Sequence, residues 1–596
     1  MKKIKKIIVL PFLFVLAMAG IQSCDLEEYN PSGSTADVVF STPEGIEYLV
    51  NRMYYNFRWK YFGREDPVLY LEGGTDLWYN AGRESYGAGM TQYTDKMSPT
   101  LGQLANVWNR VYDDINMCNS VINRIGNVVY QNQKEKDYRE GEARWLRSYC
   151  YWWLCEFFGD IELRLEETST PSFVAYRTPA ETIYDEVIIP DAKKACEQLQ
   201  VEPIDGMVGR YTRKAAYGLL ARVALARASY CTEGSDEQKS FLQMAKEAAD
   251  YVIDHRSELG IRLYNTYNEI WKACNNKNNT EYLAVVTHSS ISTNNPQSKN
   301  PNRLYLYFAP KLLNCLGCKS SWEYPKEGAR MMPTRYLLQL FEEGDMRYDV
   351  IFQEAFLGTE DFTWTESSGD LAKFNKSYDQ IRTKNIAAGD TCLYFTRRSI
   401  PQLQKDTARY VVVDVNTLYH ADGTIKAVGE NGTTSQITYS FPRFQKYRIY
   451  DPDNDTKLLA AVNGTVGYAD VPLMRYAEMP LIAAECAIRL GNTAQAVSYI
   501  TDLRSRIVKP GYESQMAVKA SDMTIDFILD ERARELCGEW LRWMDLKRTG
   551  KLVEYIKAHN PDVAPNIKDY HSLRPIPSTF LDKLENAGEF GQNPGY

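Results

Sequence analysis

Apolar residues recur at helical spacing in long stretches of this 596-residue chain, and no other feature constrains its fold as strongly. Residues 104–125 and 138–158 form one pair of such stretches, residues 182–199 and 212–228 form a second pair, and residues 241–253 follow. Amphipathic helices joined in pairs bury their apolar faces by packing on one another. The sequence therefore predicts a mainly α fold whose scaffold is a set of helical hairpins.

A last pair of helices is predicted over residues 471–506, with a break at Leu490-Gly491-Asn492. A helix, an L-G-N turn and a second helix that begins with small residues resemble a tetratricopeptide hairpin, a repeat unit that stacks on its neighbours. The earlier stretch 212–228 is rich in alanine, which lets a neighbouring element approach closely. We therefore expect tetratricopeptide-like packing in both halves of the chain.

Residues 264–470 have a different character, because they are rich in Asn, Gly, Ser and Pro. Their apolar runs are short, as at 282–286 and 410–415, and Asp422-Gly423 and Asn431-Gly432 are typical hairpin turns between β-prone segments. This composition predicts a loop-rich second lobe that contains a few short strands.

The N-terminus has the pattern of an exported lipoprotein. A basic start, MKKIKK, precedes an apolar stretch at 7–19 that is too short to span a bilayer, and Ser23-Cys24 follows. We predict a signal peptide over 1–23 and a lipid anchor on Cys24, with simple cleavage near Ala19 as the alternative. The first helix should begin at Ser41-Thr42-Pro43-Glu44, where cap residues precede a proline and an acid.

Charge and motif content exclude several classes of function. Removal of residues 1–23 takes away four lysines and no acid, so the net charge changes from −8 to −12, and no basic surplus is left for nucleic acid. The chain holds no GxSxG, HExxH or Walker motif and no GxGxxG after a strand. We predict a binding protein that uses no cofactor and is not an enzyme.

Two short patterns are incomplete versions of metal-binding motifs. Cys315-Leu-Gly-Cys318 lacks a second cysteine pair or nearby histidines, so buried thiols are the simpler interpretation. Asp451-Pro-Asp453-Asn-Asp455 places carboxylates at alternate positions but lacks the glycine and the last glutamate of a calcium loop. We therefore expect no metal site.

The stretch 526–550, DFILDERARELCGEWLRWMDLKRTG, predicts one helix that runs into a second, shorter helix. Asp526 is the candidate N-cap, and charges of both signs alternate on the face opposite the apolar residues, as in an ordinary salt-bridged surface helix. The apolar residues are Phe527, Leu529, Ala533, Leu536 and Trp540, and the charged residues are Asp530, Glu531, Arg532, Arg534 and Glu535.

The order E-R-x-R-E-L, then E-W-L-R-W-x-D-L-x-R-x-G, resembles the signature helix of the SusD/RagB family, the outer-membrane nutrient-capture lipoproteins of Bacteroidota. RSYCYWWLCEFFGDIEL resembles the family's aromatic helix, and residues 573–577 and 592–596 match its L-x-P-I-P and terminal Q-N-P-G-Y segments. The resemblance implies a signal peptide (1–23), a lipidated tether (24–40), an N-terminal helical region (41–263) with a binding loop (61–97), a loop-rich lobe (264–470) and a C-terminal region (471–596).

The resemblance also implies a function. A SusD-like lipoprotein at the cell surface would capture an oligo- or polysaccharide and deliver it to a SusC-like TonB-dependent transporter. The alternatives are an oligopeptide-capturing RagB-like protein, a glycoside hydrolase on a helical scaffold, and a structural tetratricopeptide adaptor. A hydrolase would need two carboxylates placed across one bond, which a sequence does not show.

Two regions combine aromatic rings, which cover the apolar faces of sugars, with polar groups that answer hydroxyls. One begins at Asp76 and the other surrounds residues 305–324. For each ring the alternative is packing within a core, and that alternative is favoured for Trp145, Trp152 and Trp153 on their helical stretch. The candidate ligand-binding residues are Trp78, Tyr79, Asn80, Arg83, Tyr86, Tyr305, Trp322 and Tyr324.

Overall fold

The structure is a computed structural model that describes residues 35–62, 65–80, 87–168, 170–291, 302–310, 312, 317–318, 324, 330–366, 379, 385–426, 441–450 and 467–596. The helices are α1 Ala36–Val39, α2 Pro43–Asn56, α3 Glu65–Leu71, α4 Ala88–Gln92, α5 Gly102–Arg124, α6 Gln133–Phe158, α7 Ala180–Ile183, α8 Ile189–Gln198, α9 Arg213–Ala228, α10 Asp236–Asp254, α11 Tyr267–Ile270, α12 Leu304–Tyr307, α13 Arg335–Gln339, α14 Arg347–Ile351, α15 Gln402–Thr407, α16 Glu478–Arg489, α17 Thr493–Arg504, α18 Glu513–Met516, α19 Ile525–Glu535, α20 Arg542–Arg548, α21 Leu552–His559, α22 Ser578–Leu581 and α23 Ala587–Phe590. The strands are β1 Trp78–Asn80, β2 Tyr282–Val286, β3 Met331–Pro333, β4 Phe352–Gln353, β5 Ala355–Leu357, β6 Phe362–Thr363, β7 Asn385–Ile386, β8 Thr391–Thr396, β9 Val411–Asp414, β10 Arg443–Phe444 and β11 Val471–Arg475.

The long helices form one continuous stack. Helix α5 packs on α6, α6 on α8, α8 on α9, α9 on α10, α10 on α16, and α16 on α17. The prediction of a mainly α fold with few short strands is confirmed, and Trp145, Trp152 and Trp153 are buried in the main core as predicted. Within the described residues, no helix combines the length and the apolar character needed to cross a membrane.

The prediction of a helical pair over 471–506 is wrong at its start. Residues Val471–Arg475 form strand β11, which pairs antiparallel with β2 from Val471 opposite Val286 to Arg475 opposite Tyr282. A stretch as short as V-P-L-M-R has no distinguishable period of its own, so its partner decides its conformation. Gly218 of α9 lets β11 approach, because a Cβ there would lie 2.2 Å from the Met474 sulfur. The hairpin proper, α16 and α17, follows as predicted.

Two predicted helix starts have different outcomes. Thr42 caps α2 by accepting a hydrogen bond from the Gly45 N–H at 3.1 Å, with Pro43 in the first turn, as predicted. The N-cap of α19 is Thr524, which accepts from the Phe527 N–H at 3.1 Å, so the prediction of Asp526 as the cap is wrong. Asp526 lies instead in the first turn, where an acid is favourable near the positive end of the helix dipole.

Residues 61–97 are more ordered than the predicted long loop. They contain α3, β1 and α4, and most of their described residues are buried. Gly74 makes the turn before β1 with φ of 73°, and a Cβ there would lie 2.3 Å from the Thr91 carbonyl oxygen. This segment is therefore packed into the body of the protein. Because Gly74 has no side chain, the backbone before β1 can touch the backbone of α4.

The second lobe has a small core of its own. Strands β5, β8 and β9 form a three-stranded sheet in which β5 and β8 are antiparallel and β8 and β9 are parallel. The predicted Asp422-Gly423 turn is confirmed, since Gly423 has φ of 84° and the His420 N–H donates to the Thr424 carbonyl at 2.8 Å. Asn431-Gly432 lies outside the described residues. The core contains Leu312, Cys318, Tyr324, Phe356, Trp364, Ile386, Cys392, Leu393, Phe395, Val411 and Val413.

The C-terminal tail is bound to the end of α6. The Asn593 amide donates to the Phe158 carbonyl at 2.9 Å and to the Arg574 carbonyl at 2.7 Å. Gln592 and Ile576 exchange two hydrogen bonds of 2.8 and 2.6 Å. The first and last thirds of the chain therefore share one core, which runs from Ile46 to Phe590.

Candidate functional site

The two loop regions predicted to bind ligand meet at one small sheet. Strand β1 pairs antiparallel with β3, and Asn80 lies opposite Met331. Residue 81 follows β1 and residue 330 precedes β3, so both regions leave the sheet at the same end. The Arg330 N–H donates to the Tyr307 carbonyl at 2.7 Å, which brings α12 to the same place. We call Asn80, Tyr307, Arg330 and Met331 the loop junction.

Hydrogen bonds tie the chain on either side of residues 81–86 together. The Asn80 amide donates to the Thr91 hydroxyl at 2.9 Å, and that hydroxyl donates to the Gly87 carbonyl at 3.2 Å. Gly87 has φ of 83°, which glycine adopts without steric cost. The described residues that flank the segment with Arg83 and Tyr86 are therefore held together in one buried cluster.

Strand β1 is covered on both faces, which corrects the expectation that its rings form an open platform. Trp78 is fully buried, with Phe308 and Phe444 edge-on at ring-centroid distances of 4.9 and 5.3 Å. Tyr79 points into a separate small core with Tyr419. Because the side chains of a strand alternate between faces, two distant segments bury these neighbouring rings. In this structure the packing alternative applies to Trp78 and Tyr79.

The remaining candidate residues divide into buried and undescribed ones. Asn80, Tyr305 and Tyr324 are buried, and the Tyr324 hydroxyl accepts a hydrogen bond from the Leu357 N–H at 2.7 Å. Tyr324 packs in the small core of the second lobe, and Tyr305 packs with Leu306 and Ile449. Arg83, Tyr86 and Trp322 lie outside the described residues, as does Cys24.

Buried charges join the segment before β1 to the signature helices. Asp76 pairs with Arg542 of α20 at 2.8 Å, and its backbone carbonyl accepts from the Thr334 hydroxyl at 2.7 Å. Asp76 therefore holds the sheet in place, and in this structure it is not available to sugar hydroxyls. The sequence gives no sign of this pairing, because its two members are far apart in the chain.

Glu72 is a second buried acid in this segment. It accepts a hydrogen bond from the Trp540 N–H at 2.9 Å. Trp540 has φ of 72° and lies in the turn between α19 and α20. The prediction that Trp540 belongs to the helix is therefore wrong. Burial raises the pKa of Glu72 to about 8, although the Trp540 N–H and Arg542 act in the opposite direction. Glu72 is therefore mainly protonated at neutral pH.

The described residues include no group of His, Cys, Asp or Glu side chains able to hold a metal ion. Cys318 is buried, and its sulfur lies 3.2 Å from that of Cys392. Cys315 and residues 451–455 lie outside the described residues.

Comparison with known proteins identifies the family. The model of the SusD family matches residues 270–596, more than half of the chain, and a model described as starch-binding and associating with the outer membrane matches residues 72–225. This chain belongs to the SusD/RagB family. Membership confirms the predicted resemblance and the prediction of a non-catalytic binding component, and it supports an association with the outer membrane.

Relatives of this SusD-family chain extend over its whole length. SusD-like protein P2 of Formosa agariphila is 23% identical over 598 residues, which cover 98% of this chain and 99% of the relative. A SusD homologue from Bacteroides thetaiotaomicron has a TM-score of 0.68 at 17% identity, covering 95% of this chain and 100% of that one. A laminarin-binding SusD-like protein has a TM-score of 0.63 at 19% identity, covering 93% and 99%.

Proposed function

We propose that this SusD-family protein captures an oligo- or polysaccharide at the loop junction and delivers it to a SusC-like TonB-dependent transporter. The observation that carries the proposal is that two loop regions rich in aromatic and polar residues leave one rigid sheet at the same end. Sites of this kind place variable binding loops on a fixed scaffold. The descriptions of related proteins as starch-binding and laminarin-binding support a glycan ligand.

Within this proposal, Trp322 supplies a ring that stacks on a sugar face, and Arg83 and Tyr86 supply polar contacts at the rim. Trp322 belongs to the segment that leads into β3, and the other two belong to the segment that follows β1. Trp78, Tyr79, Asn80, Tyr305 and Tyr324 act beneath them as support.

Paired tryptophan substitutions test the site. Trp322→Ala should weaken glycan binding roughly thirtyfold, since a stacked anchor contributes about 2 kcal/mol or more, while the melting temperature stays near that of the wild type. Trp78→Ala should instead lower the free energy of unfolding by about 3–5 kcal/mol, as for any buried tryptophan. The measurements are a glycan-array screen, then calorimetric affinity and melting temperature for each variant. Unchanged affinity in Trp322→Ala would remove this residue from the site, and a wild type that binds no glycan would refute the function.

We also propose that a lipid on Cys24 anchors the protein at the cell surface. The pattern of a short apolar stretch before Ser23-Cys24, with acids directly after it, supports this proposal. Cys24→Ala should move the protein from the membrane fraction to the soluble fraction. Retention in membranes after a high-salt wash would contradict the assignment.

A further inference from the structure

A second concave site begins just after α4, two residues beyond Thr91, whose hydroxyl accepts a hydrogen bond from the Asn80 amide of the loop junction. It is a cavity of about 430 Å³ between the segment that follows α4 and the C-terminal tail. Its lining includes Tyr93 and Asp95 from the first segment and Asn566, Lys568, Tyr570 and Tyr596 from the second. We call this cavity the tyrosine pocket.

Two partly exposed rings form its aromatic wall. Tyr570 and Tyr596 meet edge to face, with centroids 5.1 Å apart and an angle of 86° between the ring planes. The Tyr596 hydroxyl donates to the Leu573 carbonyl at 2.9 Å, so this ring has a fixed position. Gly595 has φ of 92°, and a Cβ there would lie 2.4 Å from the Tyr570 ring. Only glycine allows the tail to lie against Tyr570 in this way.

Polar groups complete the lining. Asp95 and Lys568 are exposed and carry opposite charges, and the Asn566 amide is held by donating to the Gln92 carbonyl at 2.9 Å. One carboxylate, one ammonium group and one amide beside two partly exposed rings match the mixed C–H and hydroxyl surface of a sugar. Among the lining side chains Asp95 and Lys568 contribute one charge of each sign, so neither sign dominates the lining.

We propose that the tyrosine pocket is a second saccharide-binding site, which takes an uncharged pyranose residue of the captured glycan. This inference rests on the proposed function but concerns residues outside the loop junction. Thr91, which Asn80 of the loop junction contacts, and Tyr93 of the pocket are two residues apart, so their Cα atoms lie at most about 7 Å apart. A glycan chain long enough to contact both sites gains from both, so the contribution of the pocket should increase with chain length.

The experiment compares the full chain with four variants. The probes are a glycan array, laminarin and soluble starch, followed by calorimetry with long and short fragments of the strongest binder. Tyr570→Ala should weaken binding of the long fragment roughly tenfold, whereas Tyr570→Phe, which keeps the ring, should stay within about twofold. Tyr48→Ala is the matched control, because Tyr48 is 65% exposed on α2, away from the pocket.

The fourth variant separates binding from folding. Asp95→Ala removes an exposed carboxylate with little effect on packing, and it should weaken binding about fivefold, the value of one hydrogen bond. If the wild type binds a glycan, and Tyr570→Ala and Asp95→Ala bind it equally well, the pocket is refuted while the function stands. If the wild type binds no glycan, both proposals are refuted.

Discussion

At the scale of single residues, Glu72 shows how a buried acid joins the segment before β1 to the turn after α19. It accepts the N–H of Trp540, whose left-handed backbone conformation is uncommon for a bulky residue. Arg542, Lys446 and Asp76 surround it, and burial raises its pKa from the ordinary 4.5 to about 8. A group whose pKa is raised by folding stabilises the folded state most below its unfolded pKa, and this contribution is lost as the pH rises.

Glu72→Gln should therefore make stability less dependent on pH. Glutamine keeps an oxygen for the Trp540 N–H but carries no proton to lose, so relative to wild type the variant should gain of order 1–3 kcal/mol between pH 5 and pH 8. The measurement is denaturant unfolding of both proteins at pH 5, 6.5 and 8. Glu554→Gln, at an exposed glutamate, is the control. A stability difference that stays constant across these pH values would contradict the protonation of Glu72.

At the scale of one element, α19 carries a buried ionic network where the sequence suggests an ordinary surface helix. Glu531 accepts hydrogen bonds from Arg347, Arg504 and Arg534 at 2.6–2.9 Å. Glu535 of the same helix pairs with Arg475 of β11 at 2.9 Å. Burial by itself would raise the pKa of Glu531, but Arg347, Arg534 and Arg504 hold it well below its usual range. The alternating charges of α19 thus join this helix to α14, α17 and β11.

Glu531→Gln should lower the free energy of unfolding by about 3–5 kcal/mol at pH 7, because three buried guanidinium groups lose their shared carboxylate. The wild-type contribution is present above the unfolded pKa and disappears as the pH falls through the lower folded pKa, so wild type and variant should converge in acid. Denaturant unfolding at pH 7 and at a series of pH values from 4 downward measures both effects. Asp526→Asn, an exposed acid on the same helix, should change stability little. A loss equal to that of this control would show that the network contributes nothing.

At the scale of the whole molecule, the helical stack is continuous in space although the second lobe interrupts it in sequence. Helix α10 packs directly on α16, although residues 264–470 lie between the two stretches in sequence. Several segments of that lobe nevertheless enter the main core, including Phe308 and Phe444 beside Trp78. The sheet of β5, β8 and β9 has its separate small core around Trp364. The described residues therefore form one large core and a smaller core that packs separately around the β5, β8 and β9 sheet.

Two tryptophan substitutions should show whether these two cores unfold separately. Trp364→Ala should increase amide hydrogen exchange within 355–363, 391–396 and 411–414 while the helical stack keeps its protection, because only the small core loses packing. Trp145→Ala should reduce protection throughout, at a cost of about 3–5 kcal/mol. Hydrogen exchange followed by mass spectrometry measures both. Equal loss of protection in the stack and the small sheet after Trp364→Ala would show that the two regions unfold together.

The local sequence pattern was sufficient to predict the helical scaffold. Helices such as Gly102–Arg124 and Arg213–Ala228 repeat their apolar residues over several turns, and the cap at Thr42 and the turn at Gly423 depend on residues only a few positions away. These features depend on contacts within one segment, which the sequence displays directly. The family motifs at the signature helices and the tail likewise identify the family from the sequence alone.

Burial depends on segments that the sequence keeps apart. The sequence around Trp78 has the composition of a binding loop, but in the fold Phe308 and Phe444 cover the Trp78 ring. Residues 471–475 form a strand because β2 lies beside them, and Glu531 is an interior charge because Arg347 and Arg504 reach it. The tyrosine pocket exists only where the tail meets the segment after α4. Pattern along the chain specifies which elements form, whereas distant partners specify which side chains face water, ligand or core.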